Sequence, residues 1–574
     1  MTRCPALLPG SVLCVLLTAA CSPAPESASL ACDADATPIS EVQGTDWYSP
    51  LENRPITVRG IVTMLEPGGG FYLEEPGSGE RVEASRALFI ADDGRLTGVL
   101  PGQELLLSGV VEEAGSERDT ITALAAVQSS AVCAENRELP LTTAEMPLGN
   151  RAREALEGMR IRVAGNPVVT DTYSLYRGVV TLSEGGTLRI PTETAQPGKS
   201  ANELARRNRQ HSLLAQLPGA DFPALPAGTA MGSLTGVLGH DGRRQRLLAE
   251  TMPDVDIRLP AEAPPAPKNG IRVVNSNLLN FFNGDGRGGG FPTERGAETP
   301  AEFRDQQART AAAFAQLMPD LLAVQELEND GFDRLSAAAT LRRLLSDATG
   351  NAYAVIEPGT PRIGDDVITV GLFYRPDRLR PVGPAQVLAS AEFRGISRQP
   401  LAQVFEAVES EERFLAVVNH LKSKGSCPDD GADRAQGDGQ GCWNPSRTAA
   451  VHAQLPWLQQ LATSAGTDRI LILGDMNAWR LEDPIRAFRA AGLIDVVETW
   501  QKPPLYSYRY FGQGGTLDYA FASPALAERV SDARIWNINA DWPRRMDLPQ
   551  PWLRMSDHDP VIVDLDFSQS PSSD

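Results

Sequence analysis

The sequence predicts a layered α/β domain towards the C-terminal end of the chain, preceded by β-rich modules. Three observations lead there. Up to about residue 258, short apolar runs alternate with Gly-rich turns, interrupted by one helical stretch, "SANELARRNRQHSLLAQL". From residue 269 to about 567, strand-like runs alternate with long helical ones such as "PAEFRDQQARTAAAFAQLM" and "SRTAAVHAQLPWLQQLA". Between the two lies "LPAEAPPAPK", residues 259–268, whose prolines mark a semi-rigid interdomain linker.

The first module is expected over residues 38–132. "ITVRGIVTML", "GFYLEE", "RALFIA", "QELLLSGVV" and "TITALAAV" make about five strands, the count of a small barrel of the oligonucleotide-binding (OB) kind. That architecture often stacks bases over a basic groove. Here the segment holds 6 Arg, no Lys and 15 Asp or Glu, so a structural or docking module fits better than an autonomous nucleic-acid binder. Residues 140–258 form a second β-rich module, with "GMRIRVAGNPVV" and "YRGVVTLSEGGTLRIP" as strands. His211 and His240, with no carboxylate or cysteine pattern around them, read as surface residues.

At 574 residues the chain is long enough for two to four domains, and 42 % hydrophobic residues suffice to bury their cores. The net charge of −20 argues against a protein that holds nucleic acid or anionic membrane through a basic surface. It leaves room for an enzyme that handles a phosphate with bound metal.

The N-terminus reads as a targeting signal over residues 1–20. After Arg3 the run "ALLPGSVLCVLLTAA" is apolar and of signal-peptide length. It ends in "LTAAC", which resembles a bacterial lipobox with Thr18 where Leu is usual; the resemblance implies lipidation of Cys21 and a tether over 21–37. An ordinary cleaved signal is the alternative. Either way an exported protein is expected, as an outer-membrane or cell-surface lipoprotein or as an extracellular protein. Four further cysteines suit an oxidising compartment. Proximity favours Cys427–Cys442, closing a Gly- and Asp-rich loop, with Cys32–Cys133 bracketing the first module; a zinc site is the rival. Residues 568–574, "SQSPSSD" from Ser568, read as a disordered tail.

Chemistry concentrates in 269–567. Apolar strands there end repeatedly in an acid, amide or histidine. "IRVVNSN" delivers Asn277, "PDLLAVQE" Glu326, "FLAVVNH" His420, and "RILILGDMN" Asp475 and Asn477. "GGTLDYAFAS" carries Asp518, and "SDHDPV" carries Asp557 and His558. Singly, each reads as a turn former or a solvated acid. Together, at strand ends, they read as a site. Carboxylates and an amide oxygen are hard ligands for Mg²⁺, with Mn²⁺ or Ca²⁺ as alternatives. Two histidines beside a hard cation suit hydrolysis of a phosphodiester.

The order Asn…Glu…His…GD-x-N…LDY…SDH resembles the endonuclease/exonuclease/phosphatase superfamily over some 290 residues. That resemblance implies a four-layer α/β sandwich of the DNase I-like type. Carried over residue by residue, it implies that Asn277, Glu326 and Asp557 hold the metal. Asp475 would orient or activate water, Asn477 bind phosphate, His558 pair with Asp518, and His420 flank the scissile phosphate. Arg398, in "ISRQPLAQVF", stands where a phosphate-gripping arginine is placed; Asp366, in "GDDVITVGLFYRP", orients His420 or is a turn acid. Which group is base and which acid is left open. Tyr519 stands where His is frequent after "LD", and no aromatic precedes Asn277.

The chain is similar along nearly its whole length to extracellular nucleases of the ExeM/NucH type. The stretches that carry this are "LLNFFNGDGRGGGFPTERGAETPAEF", "QELENDG", "NHLKSKGSCP…GDGQGCWNPSR", "YRYFGQGGTLDYAFAS" and "NINADWP". The resemblance also supports the Cys427–Cys442 bridge, and places Arg295, Lys422, Lys424 and Arg447 where they can meet phosphates. The implied activity is metal-dependent cleavage of DNA, with RNA as a further substrate, and no feature calls for a protein partner. The catalytic segment carries 30 Lys and Arg against 39 Asp and Glu, so binding away from the site should be weak and salt-sensitive. The alternatives are another phosphohydrolase, sphingomyelinase-like or a phosphomonoesterase, for which "DWPRRMDLPQPWL" (541–553) is the best membrane-entry candidate, or an inactive surface binding protein.

Overall fold

Continuous apolar runs give strands buried on both faces at the centre of the catalytic segment in the computed structural model, which describes residues 30–568 apart from 77–82, 93, 95, 117–118 and 242. The expected signal (1–20), Cys21 and most of the tail (569–574) lie outside the described residues, as does the tether up to residue 29.

Two compact units divide the chain, and the first is built from residues before 141. It is a closed five-stranded barrel of Pro55–Leu65, Phe71–Glu74, Ala87–Ile90, Glu104–Ser116 and Asp119–Ala134, in the order first, second, third, fifth, fourth. Closure removes the exposed sheet edges. Val58, Val62, Leu73, Leu88, Leu107 and Leu124 fill it. A disulfide joins Cys32 to Cys133.

The second unit takes in the chain from Leu141 onward, with two short earlier segments. Its first part is a seven-stranded sheet between Thr142 and Ala249. The helix expected from "SANELARRNRQHSLLAQL" covers only Lys199–Gln210, and Ser212–Gln216 is a strand. There Leu213 and Ala215 are buried while the residues between them are half-exposed, the period-two pattern that pairs with Val179–Ser183. His240, read as a surface residue, is buried; His211 is part-exposed beside Glu184.

The second part is a sandwich of two six-stranded sheets. One runs Ala354–Val355, Ile368–Tyr374, Leu321–Glu328, Ile271–Phe281, Val561–Leu565, Val530–Ile535. The other runs Leu379–Val387, Arg398–Ala407, Arg413–His420, Ile470–Asp475, Asp518–Ala522, Ile494–Asp495. Val273, Leu321, Val418, Leu471 and Val563 point into the space between the sheets. Their neighbours Val274, Leu322 and Ile562 pack outward under the helices Pro300–Leu317 and Ala337–Thr349. Val417, Ile470 and Ile472 do the same beneath Asn444–Ala465 and Asp483–Ala490. The result is four layers. Thr299 and Ser336 cap the first two helices, their side chains accepting from the amides of Glu302 and Ala339.

The seven-stranded module and the sandwich are stitched together. Leu188–Arg189 pairs in parallel with Gln513–Gly514 of the catalytic segment. Buried Glu193 accepts from Thr516 N (3.1 Å) and from Arg480 Nε (3.0 Å), and Thr192 Oγ1 donates to Glu482 at 2.8 Å. Residues 259–268 are coil, and Arg272 donates to the carbonyls of Pro264 and Pro265. Among the described residues no helix is long and apolar enough to cross a membrane.

Candidate active site

Strand register lines up one row of polar residues. Arg398 stands opposite His420, His420 opposite Asp475, and Asp475 opposite Asp518, across four adjacent strands of one sheet. Gly474 sets part of this row. Its φ is +144°, and a Cβ there would sit 2.1 Å from the Asn419 carbonyl, so the approach of the His420 and Asp475 strands needs glycine.

The facing sheet supplies Asn277 and Glu326 from the ends of neighbouring parallel strands. Asn277 Nδ2 donates to Asp475 Oδ2 (3.3 Å), and its Oδ1 accepts from Leu279 N. Glu326 adopts φ +59° and accepts from Asn280 N at 2.9 Å. A non-glycine residue held in the left-handed region is strained, and such strain clusters at functional sites.

Asp475 is the centre of the group. Its carboxylate accepts from Asn477 N (2.9 Å) and Asn477 Nδ2 (3.2 Å). His420 Nε2 lies 3.5 Å from its Oδ2 and His558 Nε2 lies 4.0 Å away. His558 Nδ1 meets Asp518 Oδ2 at 2.8 Å, and Ser507 Oγ donates to the same oxygen at 2.7 Å. The Tyr508 ring lies 4.5 Å from the His558 ring, centre to centre.

Burial and charge push these groups apart in proton affinity. Burial lowers His420 well below the ordinary histidine value, helped by the nearby Arg398 guanidinium. For His558 burial opposes protonation, but the Asp518 and Asp475 carboxylates outweigh it and raise the imidazole well above its usual range. Asp475 is raised by burial, and the neighbouring Asp518 carboxylate adds to that. Burial raises Glu326 too, and Asp557 pushes it further. The surroundings thus push the two imidazoles in opposite directions, His420 towards the neutral and His558 towards the charged form, beside a crowd of carboxylates.

The "SDHDP" turn divides its two acids. Asp557 is half-buried beside the site, while Asp559 is buried and accepts from Asn539 N (2.6 Å) and Asn537 Nδ2 (2.8 Å). Asp559 shapes the turn that presents His558.

Other expected residues lie elsewhere than the sequence suggested. Asp366 faces Arg398 Nε (3.1 Å) and Arg295 (3.7 Å) rather than His420, whose Nδ1 has no hydrogen-bond partner. Asn477 turns its amide inward, to Asp475 and to the Leu421 carbonyl, so it offers phosphate no free N–H. Arg447 is fully buried and donates to the Lys422 and Gln440 carbonyls, and Lys424 pairs with Glu482, so both cations are engaged within the protein. Lys422 lies over the Trp443 ring, and Arg295 remains part-exposed. The Cys427–Cys442 disulfide closes the intervening loop. Tyr519 is buried and donates to the Thr516 and Ala478 carbonyls. Ser507 carried no signal of its own in the sequence, and Tyr508 only its place at the head of the stretch "YRYFGQGGTLDYAFAS", because a hydroxyl and an aromatic ring gain meaning only from what they touch.

The donor set fits a hard divalent cation. Beyond burial, the Asp557 carboxylate raises the proton affinity of Glu326, and Asp518 and Glu326 raise that of Asp475, a crowding of like charge that a bound cation would relieve. Asp475, Asp518 and His558 offer ligand atoms within 4.8 Å of one another, but His558 Nδ1 is taken up by Asp518 Oδ2, which leaves Asp518 only its unpartnered Oδ1 to offer. Glu326 and Asp557, with the Asn277 amide beside them, are the better holders.

Residues 275–558 match the Endonuclease/Exonuclease/phosphatase family. The sandwich is thus a domain of that superfamily of hydrolases, with its DNase I-like layered fold. Among characterised relatives, nocturnin from Homo sapiens is 24 % identical over 336 residues, spanning 55 % of this chain and 69 % of that protein. Nocturnin from Mus musculus is 23 % identical, spanning 55 % and 70 %. Similar solved structures include the human nocturnin catalytic domain with bound sulfate (20 % identity, 52 % of this chain and 93 % of that one, TM-score 0.34). A mannosyl-6-phosphatase from Bacteroides thetaiotaomicron shares 16 % identity over 52 % of this chain and all of that one (TM-score 0.36).

Proposed function

We propose that the protein is an exported, metal-dependent nuclease that hydrolyses phosphodiester bonds of DNA, and of RNA as a second substrate, in the manner of the ExeM/NucH-type enzymes. The observation that carries this reading is the row Arg398–His420–Asp475–Asp518 with His558 hydrogen-bonded to Asp518. Cations and imidazoles on one side of a carboxylate pocket match a phosphodiester, whose single negative charge must be held while water attacks.

Roles follow from the protonation states. Asn477 orients Asp475, whose raised proton affinity suits it to take a proton from water at neutral pH. His558, kept charged by Asp518, holds a proton at Nε2 for a phosphate or leaving oxygen. Arg398 grips phosphate from the far end of the row, beside neutral His420. A divalent cation held by Glu326 and Asp557, with Asn277, supplies charge neutralisation for the phosphate.

Export rests on the apolar N-terminal run and on two disulfides, which persist in oxidising compartments. Lipidation of Cys21, and with it a membrane attachment, belongs to the same proposal. Membrane-lipid substrates are less well supported: in the 541–553 loop Trp542, Trp552 and Leu553 are buried.

The test is incubation of the mature protein with closed circular plasmid and Mg²⁺, Mn²⁺ or Ca²⁺ in turn, beside a chelated sample and His558→Ala. Metal-dependent nicking lost in the variant is the expected result. A folded protein that leaves the plasmid closed but releases phosphate from monoesters moves the reading to a phosphomonoesterase.

A further inference from the structure

A large cleft opens beside the site and is walled in part by the β module. Its volume is ≈ 1300 Å³, beyond the roughly 300–1,000 Å³ of small-molecule pockets. Arg295, Tyr508 and Asp557 line it at the catalytic end; Tyr173, Tyr176, Arg544 and Arg545 line it further out.

Tyr173 and Tyr176 come from the seven-stranded module, the arginines from the 541–555 loop. Arg544 lies 3.7 Å from the centre of the Tyr173 ring, and its Nε donates to the Tyr173 carbonyl. Arg544 and Arg545 also approach the Tyr176 ring, at 5.3 and 5.5 Å. Tyr173 is nonetheless 59 % exposed, so much of its ring stays open. Asp541 anchors the loop, accepting from Arg509 Nε (2.6 Å), Tyr506 OH (2.8 Å) and Ala227 N (2.8 Å). Anchored on both the module and the sandwich, the arginines are presented on a fixed wall.

We propose that this cleft is the track for a single-stranded polynucleotide, with the module supplying the base-stacking face and the 541–555 loop the phosphate contacts. Unpaired bases stack on open tyrosine rings whatever their sequence, whereas a duplex hides its bases. Arginines interleaved with aromatics hold the backbone. Elsewhere the lining is mixed in charge, with Glu298, Glu302 and Asp305 beside Arg309 on the helix side and Asp547 near the loop arginines, so the arginine–tyrosine cluster is the part suited to phosphate and base together. The inference rests on the nuclease reading and extends it to strand form.

The experiment measures fluorescence anisotropy of labelled oligonucleotides of increasing length, single-stranded and duplex, with the full chain carrying His558→Ala and Mg²⁺ present. Affinity is expected to rise with single-strand length and to exceed that for duplex. Adding Tyr173→Ala should weaken the longer strands about tenfold, Tyr173→Phe should restore them, and Arg544→Ala should reduce the log–log salt slope by roughly 0.7. Length-independent binding, equal affinity for duplex, or Tyr173→Phe as weak as Tyr173→Ala overturns the track. If plasmid and dinucleotide assays detect no hydrolysis while length-dependent binding persists, the nuclease reading fails and the track stands. If hydrolysis is present and binding ignores length, the track alone fails.

Discussion

His558 and Asp518 are hydrogen-bonded at 2.8 Å although they belong to opposite sheets of the sandwich. Asp518 opens a strand of one sheet, and His558 closes the turn before Val561–Leu565 of the other. The pair therefore forms only when the two sheets pack. Replacing Asp518 by Asn removes the charge that keeps the imidazole protonated. Activity should fall by about 10²–10⁴-fold. The alkaline limb of the pH–rate profile should also move to lower pH, because the support that raised His558 is gone. Stopped or continuous assays of kcat across pH, with Asp518→Glu as the partial rescue, check both.

Glu326 and Asp557 crowd a buried pocket with like charge. A divalent ion bound there stabilises the folded state, by about 2.7 kcal/mol at a hundredfold excess over Kd. Thermal melts with and without Mg²⁺ should show that increment in the native protein. Glu326→Gln should melt at the same temperature in either buffer, and an unchanged metal response in that variant would place the ion elsewhere.

Glu193 reaches from the β module to Arg480 and Thr516, two residues before Asp518. Glu193→Ala leaves Arg480 buried with Asp495 and the more exposed Glu498 as its acidic partners and the Thr516 hydroxyl at 3.2 Å. Breaking a buried pair costs about 3–5 kcal/mol, and the remaining acids put this case at the lower end. Urea denaturation measures it. A change below about 0.5 kcal/mol, the range of neutral surface substitutions, would show that the module is not stitched to the site through this residue.

Gly474→Ala places a Cβ against the Asn419 carbonyl. The two strands must separate, at a cost of roughly 1–3 kcal/mol, and with them His420 and Asp475. Activity should be lost even at temperatures where circular dichroism still reports a folded protein. Full activity in a folded Gly474→Ala protein would show that the row tolerates movement.

Much of the catalytic segment was legible because its signals are local. Strand-end acids and amides such as Glu326 and Asp475 sit directly after the apolar runs that carry them, and the unbroken apolar runs of "FLAVVNH" and "RILILGD" mark strands buried on both faces. Helix limits were less legible: Ser212–Gln216 continues a helical stretch in composition, and only pairing with Val179–Ser183 makes it a strand. Arg447 and Asp366 were misplaced for a related reason. A charged residue near a motif looks solvent-facing until the loop around it closes, and Arg447 is enclosed by carbonyls from two loop segments.

By itself the sequence determined the layered α/β plan, the residue types of the site and the order in which they occur, since hydropathy period and turn chemistry act between near neighbours. Tertiary structure alone decided that His558 meets Asp518, that Asp366 serves Arg398, and that a β module shares a sheet and a cleft with the catalytic sandwich. Those relations depend on register and on packing between segments that lie from tens to hundreds of residues apart, where each contact forms only after many others have fixed its geometry.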